Sequence, residues 1–556
     1  MAERLGAVHS LRSAGIVPIP PSKGISLFRR LVNTVLPCRT VIVTGRLGAT
    51  SPVSIDGPAL PSLRFLERIR VHYPGVELVA EADVSLGSDP YLQDHIFQGQ
   101  PLLPAVMGLE AMVQVAMAVS GRREIPVIEN VSFEHPIAIE SGIRVTLRLV
   151  ALVREEERID VAIRSSLTSF QVEHFRCTCS FAKVGAQPRA TIPLPEPPNL
   201  QLDPQRELYG SLFFQGRRFQ RLSGYRRLRS RFSWAHIDPA PQEGWFTPYL
   251  NGKLILGDAA ARDAAIHSLQ ACVPQATLLP VSVDRISATD LIGTEPLVAY
   301  GVERWQDGAD YCYDVELRST NGEVCERWEG LRLHKIADAK LHGLPDQVAA
   351  AALEWGVRRA LPHDSPAVAF ERNDSFNRRL RTERAIRHAV DAPCSVTWSV
   401  DGKPEVDAPF AVSAAHCGNL TLAVASHSPV ACDIESVCER SDEMWRDLLG
   451  QERWLLAKVV ATQVGEDIHS AATRVWTAME SLAKAAIPQH TALTCVSASV
   501  QAEGSVQLAS QGLSIFTSVI KLTSDPRTAV VAVLAGSETC AATNTDTKSP
   551  LMRRIS

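Results

Sequence analysis

Two groups of residues combine side-chain type and spacing in ways that could support chemistry. In DPYLQDHIFQGQPLLPAVMGLEAM, His95, Gly99 and Pro104 stand in the pattern H-x-x-x-G-x-x-x-x-P. The imidazole titrates near neutral pH and can take up a proton, glycine permits an unusual φ or a close backbone approach, and proline fits the first turn of the apolar helix that follows. A thioester carbonyl near that helix start would meet free N–H groups and the positive end of the helix dipole, which stabilise a developing enolate. This set suits removal of a proton next to a carbonyl. Farther on, D-A-A-I-H places Asp263 and His267 at i, i+4 on one helix face. A partly buried carboxyl there is expected to have a raised pKa and to protonate a leaving hydroxyl. Base and acid would come from different halves.

The second group begins in SPVACDIESV, where Asp433 and Glu435 lie two apart in a strand-like run and so project from one face. RVWTAMESLAKA adds Trp476, Glu480 and Lys484 on a helical stretch, the last two at i, i+4. Three hard oxygen ligands favour magnesium, which shares its shell with substrate phosphates. Arg372, Arg378, Arg379, Arg381, Arg384, Arg387 and Lys403 form a local basic cluster suited to further phosphate groups. Taken singly, each feature has a plainer reading: a satisfied structural histidine, a D-x-E on an exposed strand, a solvated arginine-rich helix. Their order and company favour chemistry.

The elements that must position these residues are legible as alternation and helical periodicity. VTLRLVALV, RIDVAIRSSL and HFRCTCSFAKV read as half-buried antiparallel strands around the apolar stretch 101–120, which contains prolines near its start and Glu110 in its body and is expected to be a buried helix rather than a membrane span. A proline-rich connector, 186–205, interrupts this pattern. A second block repeats helix and sheet, with the helix at Asp263 to Cys272 and strands in VERWQDGADYCYDVELRS and VCERWEGLRLHKI. Two copies of one fold is the economical reading. Near 344–366, AAALEWGVRRAL marks a boundary into a third composition, and the polar stretch 537–556 is expected to be a disordered tail.

The chain has 556 residues, 45% hydrophobic and 21% charged, with a net charge of -4. That length predicts several folded units, and the balance gives no reason to expect nucleic acid or an anionic membrane as partner. Its 12 cysteines include no C-x-x-C pair, and Cys177 and Cys179 sit at i, i+2 in a strand, so reduced structural thiols are expected. MAERLGAVHSLRSAG lacks an apolar core of the signal-peptide kind, which makes the cytoplasm the expected compartment.

The first group, with the LPVSV segment after Leu278, resembles the double-hotdog dehydratases of polyketide synthases over 78–340 (first hotdog 78–185, second 206–340). LFFQGRRFQ is similar to a family segment that usually reads L-F-H-G-P-x-F, from which Gln215 and Arg217 depart. The resemblance implies dehydration of a 3-hydroxyacyl thioester carried on phosphopantetheine. In it His95 takes the α-proton, Asp263 assists loss of the β-hydroxyl, and His267 orients Asp263.

The second group resembles, over 365–535, the larger pseudo-dimeric phosphopantetheinyl transferases, where G-K-P, S-x-x-H, G-x-D-x-E and W-x-x-K-E-x-x-x-K recur in this order. The resemblance implies an α+β fold overall, magnesium on Asp433, Glu435 and Glu480, and coenzyme A as donor. Arg379, Lys403, His416 and Lys484 would contact its phosphates, and Glu480 would deprotonate the serine of an acyl carrier protein. Met479 stands where the family has its first lysine and Ala431 where it has glycine. Residues 1–50 resemble the end of a ketoreductase domain without its reduction site. The whole order resembles the carboxy-terminal part of enediyne-type iterative polyketide synthases, which implies polyketide synthase modules as partners and leaves homodimer formation open. Two rival readings stand beside these: a hotdog hydratase or thioesterase acting on acyl coenzyme A esters, and a degenerate transferase retained as a carrier-docking scaffold.

Overall fold

The computed structural model describes residues 19–35, 41, 43 and 59–535, apart from short internal segments at 155–157, 182–198, 240–243, 289–294, 340–342, 362–364, 374–376, 391–392, 489–490 and 498–504. The tail expected at 537–556 and most of the proline-rich connector lie outside the described residues. Within 1–50 a helix spans Pro21–Val32, with Ile25, Phe28 and Val32 exposed. No helix among the described residues is long and apolar enough to cross a membrane.

The first half contains β1 (Arg68–Tyr73), β2 (Glu77–Val84), the short pair β3 (Ile96–Phe97) and β4 (Gln100–Pro101), β5 (Val127–Ser132), β6 (Val145–Val153), β7 (Arg158–Ser165) and β8 (Glu173–Ser180). The second contains β9 (Leu222–Arg229), β10 (Phe232–Ile237), β11 (Ala276–Ala288), β12 (Leu297–Asp307), β13 (Asp310–Ser319) and β14 (Val324–Asp338). Twelve of these strands form one sheet in the order β1-β2-β6-β7-β8-β5-β11-β14-β13-β12-β10-β9. Antiparallel pairing of β5 with β11, Ile128 opposite Ile286 and Ser132 opposite Ser282, joins the halves.

Alternation in the sequence explains the burial. Val145, Leu147, Leu149 and Ala151 of β6 face inward, while Thr146, Arg148 and Val150 are half-exposed. The stretch expected to be a buried helix is one, Ala105–Ser120, and it is buried on nearly every side. Glu110 in its middle accepts hydrogen bonds from Gln114 Nε2 and the backbone N–H groups of Ile255 and Leu256, which compensates a buried carboxyl group. The helix Ala259–Ser268 plays the same part in the second half. A single hydrophobic core runs through both halves, so the two sheet-wrapped helices make a double hotdog. The sheet starts at Arg68, ahead of the boundary expected at 78, because β1 is an edge strand with weak alternation.

A further helix, Asp346–Ala360, follows. Val348, Ala351 and Trp355 pack into the hotdog core, whereas Ala349, Ala350, Leu353 and Val357 belong to the core of the second region. The region expected to begin a new composition is therefore riveted to the first by a shared helix.

The second region has two α+β halves. In one, β15 (Ala367–Arg372), β19 (Leu420–Ser426) and β18 (Ala411–Cys417) form a sheet packed on the helix Arg378–Val390, beside the hairpin β16 (Val396–Trp398) and β17 (Pro404–Val406). In the other, β20 (Val430–Ser436), β24 (Asp525–Ala535), β23 (Leu513–Leu522), β22 (Ser505–Ser510) and β21 (Thr494–Ser497) form a five-stranded sheet under the helix Ile468–Lys484. β18 and β20 meet where the halves join, with Cys432 N–H donating to Ser413 Oγ at 3.2 Å.

Candidate functional sites in two cavities

His95 follows the short helical turn Pro90–Asp94. Beyond it the β3–β4 hairpin turns on Gln98 and Gly99, at φ 48° and 80°. Two successive left-handed residues give the tight turn whose second position favours glycine. The hairpin returns Leu102 to His95: Leu102 N–H donates to the His95 carbonyl at 3.0 Å, and His95 Nδ1 lies 3.0 Å from the Leu102 carbonyl. A carbonyl only accepts, so Nδ1 carries the proton and the neutral ring offers its lone pair at Nε2. Burial holds the His95 pKa below its ordinary 6.5, against the opposing pull of Asp263.

His95 Nε2 faces Asp263 Oδ1 at 3.9 Å. That gap exceeds a hydrogen bond and leaves room for a reacting group to enter. Asp263 sits on the Ala259–Ser268 helix, whose start is capped by Asp258. The i, i+4 spacing does what the sequence implies: His267 Nδ1 meets Asp263 Oδ2 at 3.0 Å. His267 Nε2 lies 3.0 Å from the Tyr209 hydroxyl, and that hydroxyl oxygen accepts Leu222 N–H at 3.1 Å. Because the carboxylate takes the Nδ1 proton, Nε2 must accept from Tyr209, and the relay runs from Tyr209 through His267 to Asp263. Burial keeps the phenol protonated by pushing its pKa far above the ordinary value.

The raised pKa expected for Asp263 is corrected here. Burial does push it up, but the hydrogen bond and charge of His267, with smaller contributions from His95 and Gln215, outweigh burial and lower it. Asp263 rests as a carboxylate because both its environment and its orienting partner supply donors. The cavity between the two halves holds about 90 Å³ of free space and has apolar walls including Leu103, Phe133, Phe175 and Leu278, with His95, Asp263 and Gln215 on its lining. Ala105, in the first turn of the central helix, also lines it.

In the second region, Asp433 and Glu435 project from one face of β20 toward Glu480 on the Ile468–Lys484 helix. Burial, then repulsion from Asp433 and Glu480, raises the Glu435 pKa; burial and Asp433 raise that of Glu480. Burial also raises Asp433, against the pull of Lys484. Lys484 Nζ contacts Asp433 Oδ1 at 2.8 Å and the Cys432 carbonyl at 3.0 Å, while Asp433 Oδ2 is buried without a partner. Among the described residues no three His, Cys, Asp or Glu side chains are gathered closely enough to hold a metal ion. The expected magnesium triad is thus a set of neighbouring carboxylates, one side of which is held by an ammonium group.

A cavity of about 590 Å³ is lined by Arg378, Arg379, Lys403, His416 and Lys484, the last of which links it to Asp433. All four residues expected to contact coenzyme A phosphates, Arg379, Lys403, His416 and Lys484, meet there. Lys403 Nζ donates to the Lys484 carbonyl at 3.2 Å, and the Arg379 guanidinium lies 4.7 Å over the Trp398 ring. His416 is pushed down to about 4, first by burial and then by Arg378, Lys484 and Arg381, so it stands neutral between Thr421 and Thr382.

Tyr209 has no counterpart in the sequence reading. It lies 58 residues before His267, and no spacing rule connects a tyrosine on one side of a loop to a helix that packs against it only in the fold. Gln215 stood out solely as a departure from a family pattern, yet it reaches the cavity.

The two halves around one apolar cavity, with a neutral histidine facing a carboxylate across a gap, define the first region as a double-hotdog enzyme site. A family model described as polyketide synthase dehydratase domain matches residues 68–166, and one described as polyketide synthase dehydratase N-terminal domain matches 186–342. The first region is thus similar, over these two stretches, to polyketide synthase dehydratase domains. Solved structures similar to this chain include the dehydratase domain from the CurJ module of curacin polyketide synthase (18% identity, 50% of this chain, 100% of that chain, TM-score 0.41). They also include the dehydratase domain of a mycocerosic acid synthase-like polyketide synthase (16%, 50%, 99%, 0.40) and that of PpsC from Mycobacterium tuberculosis in complex with C12:1-CoA (18%, 50%, 100%, 0.40).

Proposed function

We propose that the first region dehydrates a 3-hydroxyacyl thioester, presented on the phosphopantetheine arm of an acyl carrier protein, to the 2-enoyl thioester. The observation that carries this is the 3.9 Å gap between a lone pair at His95 Nε2 and a carboxylate oxygen of Asp263. His95 takes the α-proton. The resulting imidazolium faces Asp263 Oδ1, which relays that proton to the departing β-oxygen, so the substrate loses water and both side chains return to their starting states. His267, locked by Tyr209, holds Asp263 in line. The start of the central helix, at Ala105 on the cavity wall, is suited to the thioester carbonyl as negative charge develops. Incubating the chain with a 3-hydroxyacyl carrier protein and weighing the carrier tests this: loss of water is expected, and none with His95→Ala. A faster reaction on the free coenzyme A ester than on the carrier would favour a hydratase or thioesterase instead.

The second region, in the same proposal, transfers 4'-phosphopantetheine from coenzyme A to a carrier serine. The cavity lined by Arg378, Arg379, Lys403 and Lys484, with Lys484 paired to Asp433, supports it. The orphaned Asp433 Oδ2 and the repulsion of Glu435 by Asp433 and Glu480 fit a hard divalent cation, and Asp433, Glu435 and Glu480 would hold magnesium after drawing closer together than they stand in this structure. Once bound, magnesium would supply positive charge at the pyrophosphate. Lys403, Arg379 and Lys484 bind phosphate oxygens, neutral His416 adds a hydrogen bond, and Glu480 takes the serine proton as the serine oxygen forms its bond to phosphorus and the adenosine bisphosphate departs. A carrier mass gain with coenzyme A and magnesium is the expected result; none would leave the carrier-docking scaffold as the reading. The order of motifs supports placing the chain among enediyne-type synthases, working with polyketide synthase modules in the cytoplasm.

A further inference from the structure

The segment LFFQGRRFQ puts Gln215 opposite His95. The two residues form an antiparallel backbone bridge, the Gln215 carbonyl accepts Gln220 Nε2 at 2.9 Å, and the next residue, Gly216, donates its N–H to the Asp94 carbonyl at 2.7 Å. A side chain at Gly216 would bring its Cβ within 2.7 Å of Asp94 Cα, so the loop closes on the His95 segment only because glycine stands there. Gln215 is thereby fixed by its neighbours on both sides. The residue is 5% exposed and lines the cavity shared by His95 and Asp263.

The amide has two unlike ends. Gln215 and Asp263 line the same cavity, and the amide favours the charged form of that carboxylate, as its N–H end does when turned toward Asp263. A carboxylate is only an acceptor, which fixes the amide orientation and leaves Oε1 as the free end. Oε1 is buried and has no hydrogen-bond partner. A buried carbonyl oxygen without a donor costs stability unless a ligand satisfies it. On a 3-hydroxyacyl thioester the group near the reacting carbons that can donate is the β-hydroxyl.

We propose that Gln215 is a substrate-positioning residue whose Oε1 accepts the O–H of the leaving β-hydroxyl. This inference rests on the dehydratase reading and deepens it. As the hydroxyl leaves it is held from two sides: its own hydrogen stays on Gln215 Oε1, and once Asp263 has taken the proton from His95 it donates that proton to the hydroxyl's lone pair. With the α-carbon directed at His95 and the acyl chain in the apolar cavity, only one configuration at C3 satisfies all three contacts. Gln215 therefore sets the choice between the two 3-hydroxy epimers. The departing water keeps the same hydrogen bond as it leaves.

The test compares a ligand that has the hydroxyl with one that lacks it, in the full chain. Wild type and Gln215→Leu are assayed with (3R)- and (3S)-3-hydroxyoctanoyl pantetheine, and inhibition by octanoyl pantetheine, which lacks the hydroxyl, is measured alongside. On the better epimer, Gln215→Leu is expected to lose on the order of tenfold in kcat/KM, the scale of one hydrogen bond. Inhibition by octanoyl pantetheine should stay within about twofold and the ratio between epimers should narrow. Gln215→His, which keeps an acceptor nitrogen, should recover part of the loss. Equal losses for both ligands would mean that the residue only shapes the loop and would overturn the inference, as would an unchanged kcat/KM and epimer ratio. If wild type turns over and His95→Ala abolishes product while Gln215→Leu has no effect, the inference alone fails. If wild type forms no enoyl product, the dehydratase reading fails and takes the inference with it.

Discussion

The two cavities use the same kinds of side chain in opposite states of completion. In the hotdog cavity, Tyr209, His267, Asp263 and His95 satisfy one another or nearby backbone, and Gln215 Oε1 is left over among them. In the second cavity the groups repel. Asp433 and Glu480 raise the pKa of Glu435, Asp433 raises that of Glu480, several cations lie nearby, and Lys484 reaches across to Asp433. The difference teaches that a site doing proton transfer on a neutral substrate can be prebuilt from internal hydrogen bonds. A site for a multiply charged ligand must keep its charges uncompensated until the ligand arrives.

Single substitutions should separate the two sites cleanly. The largest effect is expected from His95→Ala: dehydration should fall by about a thousandfold or more, in the range for loss of a general base, while pantetheinylation of the carrier is unchanged. Mass analysis of one carrier protein reads both, as loss of water and as gain of the arm. Asp433→Asn should do the converse. It removes one of the charges that neighbouring cations and a metal would balance, and a loss on the order of a hundredfold in pantetheinylation is expected with the water-loss activity intact. Loss of both activities in either variant would mean that the cavities are not independent.

Sharing of the Asp346–Ala360 helix predicts a third, smaller effect that is not separable. Glu354 accepts Arg229 Nε at 2.6 Å, Ser230 Oγ at 2.8 Å and Val368 N–H at 3.2 Å, tying the β9–β10 turn of the hotdog to β15 of the second region. Glu354→Ala leaves these donors unpaired. Because the pair with Arg229 is only partly exposed, a destabilisation of about 2–3 kcal/mol is expected, read as a lower melting temperature with both activities lost together on heating.

Periodicity carried much of the fold. Val145–Val153 matches β6 residue for residue because one face of that strand is buried and the other is not. The edge strand β1 and the shared helix were less legible, since exposure of an edge blurs alternation and a helix buried on two sides belongs to neither composition. The same division holds in the sites. Asp263 and His267 are joined by helix geometry, so their contact was written in the spacing. Asp263's protonation state was not, because burial and hydrogen bonding act in opposite directions and the balance is decided by how closely His267, and then His95 and Gln215, approach it in the fold. The carboxylates of the second region were placed correctly on a strand and a helix, but the grip of Lys484 on Asp433 depends on side-chain reach between those elements.

The smallest effect is expected where the prebuilt relay is weakened without touching the reacting groups. Tyr209→Phe removes the donor to His267 Nε2 and leaves Leu222 N–H without its acceptor. His267 would then lose the partner that holds its ring in place, so kcat should fall by about twofold to tenfold, the worth of one neutral hydrogen bond, with KM little changed. The pH profile separates this role from that of His95. His95 works as the neutral base, and burial lowers its pKa below 6.5; kcat/KM should therefore be level through neutral pH and decline as pH falls through that lowered value. Asp263, already ionised, adds no loss of activity as pH rises through the neutral range. Tyr209→Phe should keep the same acid limb at a lower plateau, because the group that titrates is His95. An alkaline limb near neutral pH in wild type would instead mean that Asp263 must enter the reaction protonated, and the relay from His95 to the leaving oxygen would be wrong.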